Sequence, residues 1–145
     1  MRDLNNVDIC KLERKTLGQK ENVEWYQARR NRLTASSFGK ICLRRSSTPS
    51  HNLIKELFYR NSNLKTKAIQ YGIENEKVAI KKFETLSNVK VRDCGFFVCP
   101  NFCFLGASPD GINDNNKVIE VKCLYACKSE SVRKAAKKNH CVLNT

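Results

Sequence analysis

Val118-Ile119-Glu120-Val121-Lys122-Cys123 alternates apolar and charged residues, the pattern of a β-strand with two unlike faces. Ile119 and Val121 point to one side and can enter a core. Glu120 and Lys122 share the other. An acid and a lysine in an otherwise apolar strand are costly to bury unless they pair or bind something. Ten residues before Glu120, Ser108-Pro109-Asp110-Gly111 closes a preceding strand-like run, Phe102 to Ala107. A hairpin joining the two strands brings Asp110 beside Glu120. Two carboxylates converging at strand ends make a hard-oxygen site suited to Mg²⁺ or Mn²⁺. From spacing alone, a surface ion pair between Glu120 and Lys122 is an equally good account.

Working outward, Val89 to Arg92 alternates, Cys94 to Cys99 is apolar, and Pro100-Asn101 is a turn. With loops at Asp110-Gly111 and Asn113 to Asn116, the second half reads as a three-stranded meander. The first half reads as helices. Glu21 to Arg32 places Trp25 and Ala28 on one face and clusters Arg29, Arg30 and Arg32 near its end. Thr34 is placed to N-cap a short helix through Cys42. Arg44 to Ser50 is a loop, and His51 to Tyr59 another helix. The longest helical stretch is Leu64 to Leu86, with Ala68, Tyr71, Gly72, Ala79, Ile80 and Phe83 as its inward stripe. Gly72 interrupts it at a cost of about 1 kcal/mol relative to Ala, tolerated for close packing or function. The first twenty residues are polar and are expected to be irregular. After Leu124 the chain reads as basic and helical.

The 145 residues are one domain's worth, 41% hydrophobic and 28% charged. No apolar run is long enough to span a membrane. The opening MRDLNNVDICKLERK has no apolar core of a secretory signal, so an intracellular protein is expected. Lys and Arg number 27 against 14 acids, a net charge of +13. Such an excess favours a polyanionic partner, because each neutralised phosphate releases counterions. A well-solvated basic surface is the plainer account, and charge alone separates neither DNA from RNA nor binding from chemistry. Eight cysteines fit free thiols in a reducing compartment. Cys99 and Cys103, like Cys123 and Cys127, invite a zinc reading. Three intervening residues replace the usual two, and Cys103 and Cys123 sit in apolar runs where Cys behaves as a small hydrophobe. Structural zinc is therefore a subordinate reading.

Phosphodiester hydrolysis needs a nucleophilic water, charge neutralisation and help for the leaving oxygen. Carboxylate-held metal and a neighbouring lysine supply these. Asp110 followed by Glu120-Val121-Lys122 has the form P-D-x(n)-E-x-K. With Trp25 to Phe38 (WYQARRNRLTASSF), Tyr71 to Ala79 (YGIENEKVA), Leu105 to Gly111 (LGASPDG) and Ile119 to Cys123 (IEVKC), the chain resembles the YqaJ viral recombinase family over about residues 24–124. That family is lambda-exonuclease-like and belongs to the PD-(D/E)XK nucleases.

The resemblance implies an α/β fold with a restriction-endonuclease-like core, a small mixed β-sheet flanked by helices. It implies Glu76, Asp110, Glu120 and the backbone carbonyl of Val121 as ligands of Mg²⁺, with Mn²⁺ as a substitute. Lys122 would be the catalytic lysine, acting with Glu120 and Asp110. Glu74 lies about 200° round the helix from Glu76 and is expected to be solvated. Arg29 and Ser36 would hold a DNA 5′-phosphate, as a guanidinium and a hydroxyl near a helix start are suited to do. The implied activity is 5′–3′ exonuclease action on double-stranded DNA ends in recombination or repair. Implied partners are a single-strand annealing recombinase and further copies of the chain. Relatives continue beyond the E-x-K strand into another strand and a helix bearing Tyr-x-x-Gln-x-Gln. On that reading residues 21–145 are the nuclease domain without its C-terminal part. An endonuclease of the same fold and a non-catalytic DNA-binding module are the alternatives.

Overall fold

The computed structural model describes residues 6–59, 66–131 and 134, in which helices dominate the first half and short strands the second. It divides into two units, one of Met1–Ser62 and Val91–Glu120, the other of Asn63–Lys90 and Val121–Thr145.

In the first unit, α1 (Asn6–Lys15) is followed by a 3-10 turn, Gln19–Glu21, and by α2 (Val23–Arg29). The Asn22 side chain caps α2 by accepting from the Glu24 amide at 2.9 Å. The helix stops earlier than the sequence suggests, because Arg30 is extended and Asn31 is left-handed at φ 62°. Then come β1 (Leu33–Thr34), α3 (Ala35–Cys42) and α4 (His51–Tyr59). An ion pair between Lys40 and Glu56 links α3 to α4. The helix over Asn6–Lys15 corrects the expectation of an irregular N-terminus. Its inward residues include Glu13, and buried Thr16 follows it in the next turn, so apolar periodicity gives little sign of the helix.

The strands are β2 (Val91–Arg92), β3 (Phe97–Val98), β4 (Leu105–Ala107), β5 (Gly111–Asn113) and β6 (Val118–Ile119). They form two three-stranded sheets instead of one meander. The first, β1-β4-β3, is mixed: β1 runs parallel to β4 with Thr34 opposite Gly106, and β3 antiparallel with Val98 opposite Gly106. The second, β2-β5-β6, is antiparallel, with Arg92 opposite Ile112 and Gly111 opposite Ile119. The partner of β6 is therefore not β4 but β5, in a stretch whose Gly and Asn read as loop. The ladder on β6 ends at Ile119 although the apolar pattern continues to Cys123. Pro109, just before β5, has no N–H to extend it. The chain passes from the second sheet to the first at residues 93–96 and back at 108–110. The core lies under the first sheet: Ile9, Trp25, Ala28, Phe96 and Val98, with Leu12 and Cys103 packed against it. A Cβ on Gly106 would lie 2.2 Å from the Phe96 ring, so the ring needs a glycine there.

In the second unit, α5 (Lys67–Ser87) starts at Thr66, whose hydroxyl accepts from the Ile69 amide at 3.2 Å. It ends at Asn88, left-handed at φ 52°. Its half-buried positions are Tyr71, Gly72, Asn75, Glu76, Ala79, Ile80 and Glu84, while Ala68 and Phe83 are exposed. Tyr71 packs edge-on against Tyr125 of a 3-10 turn, Tyr125–Cys127, with ring centroids 5.7 Å apart. Close packing does not explain Gly72, since a Cβ there meets nothing within 4 Å among the described residues. Gly72→Ala should therefore stabilise the chain by about 0.5–1 kcal/mol, read as a raised urea midpoint. A lowered midpoint would show a steric need for the glycine. Leu64 and most of the expected C-terminal helix lie outside the described residues. Among those residues, no helix is long and apolar enough to cross a membrane.

Candidate active site

The β5–β6 hairpin carries the two carboxylates. Gly111 pairs with Ile119, and the Asp110 amide donates to the Ile119 carbonyl at 3.1 Å. Asp110 and Glu120 are thus the next residues out of the ladder on neighbouring strands, the former half-buried and the latter exposed. Beyond the ladder the alternation continues. Ile119, Val121 and Cys123 are half-buried, and Glu120 and Lys122 are exposed, as the period of two requires.

The peptide linking Pro109 to Asp110 is held at both polar atoms. Its carbonyl accepts from Gln19 Nε2 at 2.8 Å and from Cys94 Sγ at 3.2 Å, and its N–H is the donor to Ile119. Burial, then the nearby Glu13, raises the Cys94 pKa from 9.0 to about 11; Asp93 and Asp110 add to this and Arg92 opposes it. The folded state then holds a proton that the unfolded chain releases first. The thiol's contribution to stability is complete below about pH 9 and is lost as pH rises towards 11.

Ser108, two residues before Asp110, is a polar junction. Its Oγ accepts from Trp25 Nε1 at 2.7 Å and from Arg29 Nη1 at 3.3 Å. The Arg29 guanidinium lies 4.2 Å from the Trp25 ring centroid, one helical turn away on α2. Burial lowers the Arg29 pKa, with Tyr26 opposing. A guanidinium stays protonated regardless, so burial leaves a cation with fewer waters to screen it. Sequence reading missed Ser108. A Ser before Pro-Asp reads as a turn, and only the fold brings it to Trp25 and Arg29.

Because β1 and β4 are parallel, the residues after both leave the sheet at the same end. Thr34 ends β1 and Ser36 follows it; Ser108 and Asp110 follow β4. Ser36 is in the first turn of α3. The Thr34 hydroxyl meets the Ser36 hydroxyl at 3.0 Å and forms no side-chain cap on α3. Glu76, Val121 and Lys122 belong to the other unit. Glu76 is on the half-buried face of α5, and Glu74 is exposed, accepting from Gln70 Nε2 at 2.7 Å. Among the described residues, no three His, Cys, Asp or Glu side chains are grouped closely enough to hold a metal ion. The donor chemistry of Asp110 and Glu120 nonetheless suits a small divalent cation, which prefers carboxylate oxygen.

The YqaJ-like viral recombinase domain matches residues 24–141, most of the chain. The chain belongs to this family. Among relatives of this YqaJ-like chain, the shutoff alkaline exonuclease of Alcelaphine herpesvirus 1 (strain C500) is 27% identical over 143 residues. The match covers 86% of this chain and 29% of that protein. The crystal structure of the alkaline exonuclease LHK-Exo from Laribacter hongkongensis superposes with a TM-score of 0.62 at 25% identity, and its complex with dAMP with 0.63. Each covers 80% of this chain and 59% of the other. The YqaJ-like chain thus spans under a third of the viral relative and somewhat over half of the bacterial one. The α/β fold with small sheets flanked by helices is that of the alkaline exonuclease.

Proposed function

We propose that this chain carries the carboxylate and phosphate-binding part of a Mg²⁺-dependent DNA exonuclease acting 5′ to 3′ on duplex ends. The observation that carries the proposal is the β5–β6 hairpin, with Asp110 and Glu120 at its open end, and with Ser108 and Arg29 beside it on the Asp110 side. Asp110 and Glu120 would hold the cation, with Glu76 and the Val121 carbonyl completing its ligands. Bound there, the ion would supply Lewis acidity and a water of lowered pKa. Lys122 Nζ would orient the attacking water and balance the developing negative charge. Arg29, Ser36 and Ser108 would grip the terminal phosphate: a bidentate guanidinium and hydroxyls are the usual means. The excess of cations suits the rest of the duplex.

The deciding experiment compares linear and closed circular duplex DNA with Mg²⁺, Mn²⁺, Ca²⁺ or EDTA. Linear DNA should be digested with Mg²⁺ or Mn²⁺ and spared with Ca²⁺, whose looser coordination misplaces the nucleophile. Cleavage of circles at the same rate would favour the endonuclease alternative, and robust cleavage in EDTA would end the metal mechanism. Within the same assay, Arg29→Ala should slow digestion of 5′-phosphorylated ends by about 10-fold or more, as expected for one charge-assisted contact. Ends bearing a 5′-hydroxyl should be affected far less. Equal loss on both would reduce Arg29 to a general electrostatic role.

A further inference from the structure

We propose that Glu13, Thr16 and Gln19 form a clasp in which Gln19 is a positioning residue for Asp110. The inference rests on the nuclease reading for its functional meaning. The three residues are spaced by three at the end of α1 and in the turn after it, and all bond to the backbone of the segments that join the two sheets. Glu13 Oε1 accepts from the Gly95 amide at 3.1 Å. Thr16 Oγ1 accepts from the Phe96 amide at 2.8 Å and shares its own proton with the carbonyls of Leu12 and Glu13, at 2.7 and 3.0 Å. Gln19 uses both amide protons, one on the Cys94 carbonyl at 3.1 Å and one on the Pro109 carbonyl at 2.8 Å. One side chain therefore ties together the two crossings between the sheets, and the second of them leads into Asp110.

Two features show that the fit is built. A Cβ on Gly95 would lie 2.0 Å from the Glu13 carbonyl oxygen and 2.4 Å from Thr16 Oγ1, so α1 approaches this crossing as closely as only glycine permits. The chain turns into position through two successive left-handed residues, Gly18 at φ 82° and Gln19 at φ 44°. For glutamine that conformation is unfavourable and persists only where surrounding contacts impose it. The Asp110 peptide is then fixed at its carbonyl by Gln19 and Cys94 and at its N–H by Ile119. A ligand carboxylate on a fixed peptide is held in its working geometry before the cation or the substrate arrives. All three side chains precede the family match, which begins at residue 24, while the backbone they hold lies within it.

Gln19→Met keeps the length of the side chain and removes both donors. In the full chain, four quantities should be compared with wild type: melting temperature, amide hydrogen exchange at Asp110, Mn²⁺ affinity, and the kcat and KM of DNA digestion. The melting temperature should fall by only a few degrees and α2 exchange should be unchanged. Asp110 exchange should rise about tenfold, Mn²⁺ should bind about tenfold more weakly, and kcat should fall about tenfold with KM for DNA unchanged, as for loss of a neutral hydrogen-bonded support. Gln19→Glu, which turns an acceptor towards two carbonyls, should give larger changes in the same quantities. A folded Gln19→Met with wild-type Asp110 exchange and Mn²⁺ affinity would overturn the clasp. Wild-type chain that neither binds Mn²⁺ nor cuts DNA would instead overturn the nuclease reading, while Asp110 exchange in the two variants would still decide whether Gln19 holds that peptide.

Discussion

Lys122→Ala should lower DNA digestion by on the order of 10³-fold, combining loss of water orientation with loss of charge balance in the transition state. Binding should change little. Lys122 is exposed and is one of 27 Lys and Arg residues, so removing one cation weakens overall attraction to the duplex only slightly. The effect is therefore expected in kcat, with KM for DNA and affinity for Mn²⁺ near wild type. Asp110→Asn separates the two roles. On the proposed reading it removes the charge of a metal ligand and should weaken Mn²⁺ binding as well as turnover. Near-normal turnover of Lys122→Ala would reduce the Glu120–Lys122 pair to a surface ion pair. Loss of Mn²⁺ affinity in both variants alike would place Lys122 among the groups that shape the cation site.

The parts of this site that the sequence shows are those that repeat along the chain. The period of two from Ile119 to Cys123 gives the exposed face of Glu120 and Lys122 without any knowledge of neighbours. Helix geometry places Glu74 and Glu76 on different faces, and the family resemblance singles out Glu76, which is half-buried while Glu74 is exposed. Helix α4 lies at the residues its composition suggests. Features that depend on contacts between distant segments were hidden. The N-terminal helix and the turn after it bury Glu13 and Thr16 to satisfy amides some 80 residues away, and such residues look like a solvated polar stretch. Strand β5 contains Gly111 and Asn113, which argue for a loop. The Asn113 side chain does form the turn, accepting from the amides of Asn115 and Lys117 at 3.0 and 2.8 Å, but its backbone belongs to the ladder. Ser108 gains its role only where α2 meets the end of β4.

Phe96→Ala should destabilise the chain by about 3–5 kcal/mol, the usual cost of emptying a fully buried aromatic site. Phe96 has no exposed surface and lies at the centre of the small core made by Ile9, Trp25, Ala28 and Val98. The surroundings have little freedom to collapse into the space. Gly106 on β4 has no side chain to offer, and the Phe96 amide remains tied to Thr16. A loss of that size is a large share of the roughly 5–15 kcal/mol that holds a typical domain together. It also reaches the candidate site. The Arg29 guanidinium lies 5.9 Å from the Phe96 ring centroid and stacks on Trp25, so the loosened core should weaken the Arg29–Ser108 contact before the unit unfolds. Urea unfolding followed by fluorescence of Trp25, the chain's sole tryptophan, measures this directly. Leu43→Ala is the control. Leu43 is 86% exposed, and its removal should change stability by no more than about 0.5 kcal/mol. If Phe96→Ala cost no more than Leu43→Ala, the packing of the N-terminal helix and α2 around Phe96 would be wrong, and with it the placement of Arg29 beside Ser108.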